Sequence, residues 1–105
     1  MKSSVCYFPF LGKLSPVLHL VEIERRNRIR LSLAAYSYEY LSVSLISDEA
    51  FDELSSKINV NITTGNKKID SFFRQEFDKD TGMWIRKHPE LNKIKDLYHR
   101  LYPTT

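Results

Sequence analysis

Apolar residues recur at helical spacing along most of this chain. Residues 1–14 show no helical period; Val5, Tyr7 and Phe8 fit a short strand or an arm, and Pro9 and Gly12 would stop it. Ser15-Pro16 is a helix start, because serine caps and proline is preorganised for the first helical position. No breaker follows until about Leu41. Within that span Ile29, Leu33, Tyr36 and Tyr40 make one apolar stripe, and Leu31, Ala34, Tyr38 and Leu41 make a second on roughly the other side. A helix apolar on two faces is packed between others. Tyr36 and Tyr40 share a face and read as core, whereas Tyr38 points elsewhere. The run ERRNRIR leaves open a break near Asn27, and Glu22 and Arg26 are spaced for an ion pair on one helix.

Further along, Ser47-Asp48 supplies a cap and an acidic first turn for a second helix, with Phe51, Leu54 and Ile58 inward. Asn59 to Asn66 is polar and reads as a loop. Lys67 to Phe77 predicts a third helix with Ile69, Phe72, Phe73 and Phe77 inward, and Asp78 to Gly82 a turn. Met83-Trp84-Ile85 is a short apolar link. Pro89 opens a last helix carrying Leu91, Ile94, Tyr98, Leu101 and Tyr102. The pattern predicts a mainly α fold: a small bundle of four to five helices, centred on the hairpin between the Tyr-rich helix and the Ser47-capped one. The helical domain covers residues 15–105, behind an arm or short strand at 1–14.

Length and composition agree with this pattern. The 105 residues suit one domain, and 42% hydrophobic residues with six Tyr, six Phe and one Trp can build a core. Three Gly and four Pro argue against a turn-rich β-sandwich. A single cysteine, Cys6, makes no disulfide within one chain, which points to a reducing, cytoplasmic setting. The apolar stretch from Val5 to Val21 is interrupted by Pro9, Lys13 and Pro16, and is too short to span a bilayer.

The net charge of +3 is uneven. Residues 1–47 carry six Lys/Arg against three Glu, residues 48–82 five against eight acids, and residues 83–105 five against two. An acidic middle between two basic ends is too weak for a dedicated nucleic-acid binder, though it permits contact with a nucleoprotein. The densest basic cluster is Arg25, Arg26, Arg28 and Arg30, suited to phosphates or an acidic protein surface. Trp84 beside Arg86 and Lys87 joins the residue types that dominate binding hot spots. These seven are the candidate partner-binding residues.

Signals for chemistry are sparse. Asn66, Lys67 and Lys68 after Thr64-Gly65 read as an ordinary helix start, since no Gly-x-x-x-x-Gly-Lys occurs. Asp78, Asp80 and Gly82 lack the third oxygen ligand of a calcium loop. His19, His88 and His99 have no metal-ligand spacing, and Cys6 has no local feature that would activate a thiol. No metal, cofactor or catalytic constellation is expected, and the chain reads as a non-enzyme.

The segment YSYEYLSVSLISDEAFDEL, Tyr36 to Leu54, resembles the N-terminal helical hairpin of bacterial NAD-dependent DNA ligases. Ile46, Ser47, Asp48, Asp52 and Leu54 match that family's Ile-Ser-Asp-x-x-Tyr-Asp-x-Leu, and Tyr36 and Tyr38 fall in register. His88-Pro89-Glu90-Leu91 echoes its His-Pro-Glu-Leu, further downstream than in the family. There the hairpin holds the nicotinamide end of NAD with Tyr, His and Asp side chains. The resemblance therefore implies Tyr38, Asp48 and Asp52 as nucleotide-binding residues. Ala34 stands in place of the family's His, Phe51 in place of its second motif Tyr, and the Lys-x-Asp-Gly adenylation motif is absent. Such a hairpin, with the TGMWIRKHPEL block, is also similar to small bacteriophage proteins. The leading expectation is a phage-type accessory protein that binds and blocks a host protein or nucleoprotein machine, such as a CRISPR effector. The alternatives are a nucleic-acid-binding module and a degenerate nicotinamide-nucleotide-binding hairpin.

Overall fold

A computed structural model describes residues 16–103. The expected arm or strand at 1–14 lies outside the described residues. Four helices follow in order: α1 (Pro16–Leu41), α2 (Asp48–Lys57), α3 (Lys67–Glu76) and α4 (Leu91–Leu101), with a 3-10 helix at Met83–Lys87 between α3 and α4. The fold is mainly α, and no strand occurs among the described residues. α1 runs unbroken through Asn27 and is the spine against which α2, the 3-10 helix and α4 pack.

Local chemistry sets the helix ends. Ser47 accepts the Ala50 amide at 3.1 Å to cap α2, and Asn66 accepts the Ile69 amide at 3.2 Å to cap α3. α1 ends where Ser42 turns into the left-handed region at φ 55°, and the buried Ser37 hydroxyl ties the reversed chain down by donating to the Val43 carbonyl at 2.6 Å. α4 starts two residues later than Pro89 predicts. Glu90 makes no side-chain cap; its backbone N–H donates to His88 Nδ1 at 3.0 Å instead.

The core joins Leu31, Leu33, Ala35 and Tyr36 of α1 to Phe72, Phe73, Trp84, Ile85, Ile94 and Tyr98. Phe51 and Leu54 of α2 with Ile58 just after it, and Ile69 of α3 with Phe77 just after it, pack around it half-buried. The two stripes of α1 are corrected in detail. Every residue from Leu31 to Ser37 is buried, whereas Ile29, Tyr38, Tyr40 and Leu41 are exposed. Neighbours enclose the middle of this long helix on all sides and leave its ends open, so burial follows position along the axis more than helical face. Leu101, the last residue of α4, and Tyr102, its C-cap, are exposed in the same way.

The centre of the fold is ionic. Glu24, Arg28 and Asp70 are 2%, 3% and 2% exposed. Arg28 Nε donates to Glu24 at 2.7 Å and Nη1 to Asp70 at 2.9 Å. Its Nη2 donates to the carbonyls of Asn59 and Ile62 at 3.0 and 3.1 Å, and the guanidinium lies 4.8 Å from the centre of the Phe73 ring. Glu24 also accepts the Asn59 amide, and Asp70 accepts both the amide and the hydroxyl of Thr64. The pair expected at Glu22 and Arg26 is thus found two residues on, at Glu24 and Arg28, with the same spacing. Arg28 is not a partner-binding residue: its donors are consumed inside the molecule, where they gather the 59–66 loop and α3 onto α1.

Removing one member of such a network strands buried charge. Arg28→Met should therefore lower the unfolding free energy by about 3–5 kcal/mol in chemical denaturation. Acid should act on the same point. Burial would raise the Asp70 carboxyl, but bonds from Thr64 and Arg28 outweigh it and hold the group below its ordinary 3.8. The folded value is thus depressed, so this contribution is present above pH 3.8 and is lost as pH falls below it. Asp70→Asn should flatten the acid limb of the stability profile.

Candidate functional site

Near the C-terminal end of α1 a cleft of about 370 Å³ opens between α1, the loop into α2, the first turns of α2 and the 78–82 turn. Ala34, Ala35, Ile46 and Phe51 give it apolar walls. Tyr38, Glu39, Asp48, Asp52 and Asp80 supply its aromatic and acidic groups. Tyr38 is 61% exposed, far more than a core aromatic. Asp48 sits in the first turn of α2, where the helix dipole favours its charge. The 78–82 turn packs against α1 and α2 at Gly82, where a Cβ would lie 3.4 Å from both Ala35 Cβ and Phe51 Cζ, an ordinary packing distance.

The charges in this cleft differ in their pairing. Glu39 accepts from Arg86 at 3.2 Å. Among the described residues Asp48, Asp52 and Asp80 form no ion pair. The result is an acidic rim, with three uncompensated carboxylates and an open tyrosine face. Such a surface attracts cations and repels phosphates.

The structure brings Tyr38, Asp48 and Asp52 together, and Ala34 and Phe51, the two departures from the ligase pattern, line the same cleft. The basic candidates do not converge. Arg26 and Arg30 are exposed on α1, and Arg25 turns back to donate twice to the Thr64 carbonyl, at 3.1 and 2.6 Å. Arg86 lies over Tyr40 and pairs with Glu39, while Lys87 pairs with Glu76 at 3.3 Å. Trp84 is 4% exposed and packs against Phe72, Phe73 and Phe77, with ring centres 5.3–6.1 Å apart. Among the described residues its Nε1 has no hydrogen-bond partner, and the indole is held by core packing. It anchors the core and offers a partner no surface, which corrects its reading as an exposed hot spot.

Local pattern did not single out Glu39 as a cleft residue, and it weighed Asp80 only as part of an incomplete calcium loop. Glu39 sits between tyrosines, and Asp80 arrives from a turn more than thirty positions past α1 in sequence. Among the described residues no group of three His, Cys, Asp or Glu is placed to hold a metal, and no helix is long and apolar enough to cross a membrane. No protein-family model, curated protein or solved structure matches the chain.

One titratable group stands apart from the acidic cleft. His88 is buried against Phe72 and Phe73, with ring centres 5.1 and 6.4 Å away. Burial lowers its pKa to about 4, outweighing the upward pull of Glu90. The native imidazole is thus neutral, while an unfolded histidine takes a proton below its ordinary 6.5. Between those values the unfolded chain binds more protons, so stability falls as pH drops from 6.5 towards 4. Melting temperature should decline through this window, and His88→Gln should remove most of that slope.

Proposed function

We propose that the chain is a non-catalytic binding protein that works by protein–protein contact, seating a basic segment of its partner in the acidic cleft. The observation that carries this is the juxtaposition of exposed Tyr38 with unpaired Asp48, Asp52 and Asp80 around apolar walls. A lysine or arginine side chain meets all of these at once: its charge faces the carboxylates, its stem lies on the wall, and its head stacks over the tyrosine. Tyr38 takes the aromatic-anchor role first assigned to Trp84. A phage-type accessory protein that blocks a host nucleoprotein machine, such as a CRISPR effector, would use this surface as a mimic of nucleic-acid charge on a basic groove. Host cytoplasm is the corresponding location.

Two other readings follow from particular placements. Tyr38, Asp48 and Asp52 meeting in one cleft favours a residual nicotinamide-nucleotide site. The loss of the family's His at Ala34 and of its Tyr at Phe51 weakens that reading, and the unpaired carboxylates would repel a phosphate. Arg26 and Arg30, exposed one turn apart, favour a nucleic-acid module.

The protein reading predicts that tagged chain retains host protein subunits from bacterial lysate after nuclease treatment. Asp48→Asn with Asp52→Asn should weaken that interaction about tenfold or more, equivalent to ~1.4 kcal/mol. Arg26→Gln with Arg30→Gln should leave it unchanged. Capture lost on nuclease treatment, with the arginine pair sensitive and the aspartates not, would transfer the function to nucleic acid. A rise in melting temperature with nicotinamide mononucleotide that needs Asp48 would transfer it to the nucleotide.

A further inference from the structure

Among the described residues Arg86 is the one cation paired with an acid of the acidic cleft. It sits on the 3-10 helix, forty-seven positions past Glu39, and the burial of its neighbours Trp84 and Ile85 fixes the backbone that carries it. Its Nε and Nη2 both donate to Glu39 Oε1, at 3.3 and 3.2 Å, and its guanidinium carbon lies 5.7 Å from the centre of the Tyr40 ring. These contacts are of the kind the cleft offers a basic guest at Tyr38: a carboxylate for the charge and a tyrosine face for the plane. The Arg86 side chain is 56% exposed and that of Glu39 14%. A pair so open to water contributes little to folding. Its larger effect is on charge. No described lysine or arginine lines the cleft itself, so Arg86 decides whether Glu39 counts as a fourth open carboxylate beside Asp48, Asp52 and Asp80.

We propose that Arg86 is a resident counter-ion that sets the affinity of the acidic cleft for basic segments, given that cleft as the binding surface proposed above. By neutralising Glu39 it keeps the rim at three open carboxylates and lowers the attraction for a cationic guest. Removing the Arg86 charge takes away one repelling cation and releases one attracting anion, and both changes act in the same direction. A unit charge a few ångströms from a guest in partly solvated surroundings changes affinity by about two- to fivefold at low salt. The weakness of the pair in folding is what makes Arg86 separable: its charge can be altered without disturbing the core that holds the cleft in shape.

The test is fluorescence anisotropy of the full chain with a labelled hexa-arginine peptide, at low (~20 mM) and high (~500 mM) salt. Arg86→Gln should bind the peptide about fivefold tighter than the native chain at low salt, and the gain should shrink to less than about twofold at high salt. Arg86→Lys keeps the charge and should stay near the native affinity. In a Glu39→Gln background, Arg86→Gln should gain only about twofold, because no carboxylate is left to release. The melting temperature of Arg86→Gln should stay within about 4 °C of the native value, which separates the charge effect from a folding effect. Unchanged or weaker binding by Arg86→Gln, with Asp48 and Asp52 still required, would overturn the proposal and leave the cleft reading standing. So would an equal gain with and without Glu39. Binding that ignores Asp48→Asn with Asp52→Asn, or none by the native chain and Arg86→Gln alike up to about 1 mM peptide, would remove the cleft reading and this proposal with it.

Discussion

A guanidinium in the middle of a small helical domain is a constraint that every nearby element must satisfy. Arg28 emerges from α1 where it is 3% exposed, and a charge withdrawn from water that far is tolerable only when each donor finds an acceptor. Glu24 answers from the same helix, Asp70 from α3, and the Asn59 and Ile62 carbonyls from the intervening loop. The polar segment after α2 thereby acquires a fixed path, and α3 a fixed register. Phe73 lies beneath the guanidinium, and Phe72, Phe73 and Phe77 then close around Trp84. Apolar packing supplies the bulk of the stability, but it is non-directional. The ionic centre supplies the direction: slide α3 by one residue and Asp70 no longer reaches Arg28.

The same network reshapes the meaning of the charge. By composition the chain is basic and its first segment is the most arginine-rich. In three dimensions that segment gives Arg28 to the interior and ties Arg25 to the Thr64 carbonyl. Meanwhile Glu24 and Asp70 are removed from the surface, while Asp48, Asp52 and Asp80 stay exposed around the cleft. The charged side chains that line the cleft are therefore acidic although the net charge of the chain is +3.

The sequence was legible wherever the governing interaction was local. Ser47 and Asn66 cap the helices they precede, the apolar spacing of α3 gave its buried phenylalanines, and Ser15-Pro16 marked the start of α1. It was illegible where a partner lay far along the chain. Nothing near Arg28 announces Asp70, forty-two positions away, so a buried network looked like a solvated basic cluster. Trp84 is read the wrong way round for the same reason: a Trp-Ile-Arg-Lys run is equally a hot spot or a core anchor until its neighbours are known. At the acidic cleft, the pattern resembling a ligase hairpin pointed to Tyr38, Asp48 and Asp52. Asp80 reaches the cleft on a turn that packs against α1 and α2, and no local periodicity encodes that approach.

Both clefts are built on supports that need no partner to form. The acidic one stands on the capped first turn of α2 and the enclosed middle of α1; the smaller one, against an earlier stretch of α1, stands on the ring packing of His88 and the Arg28 network. Groups held in place before binding lose little conformational freedom on binding, so a modest number of contacts yields useful affinity. This matters for a chain whose exposed ion pairs contribute little to stability.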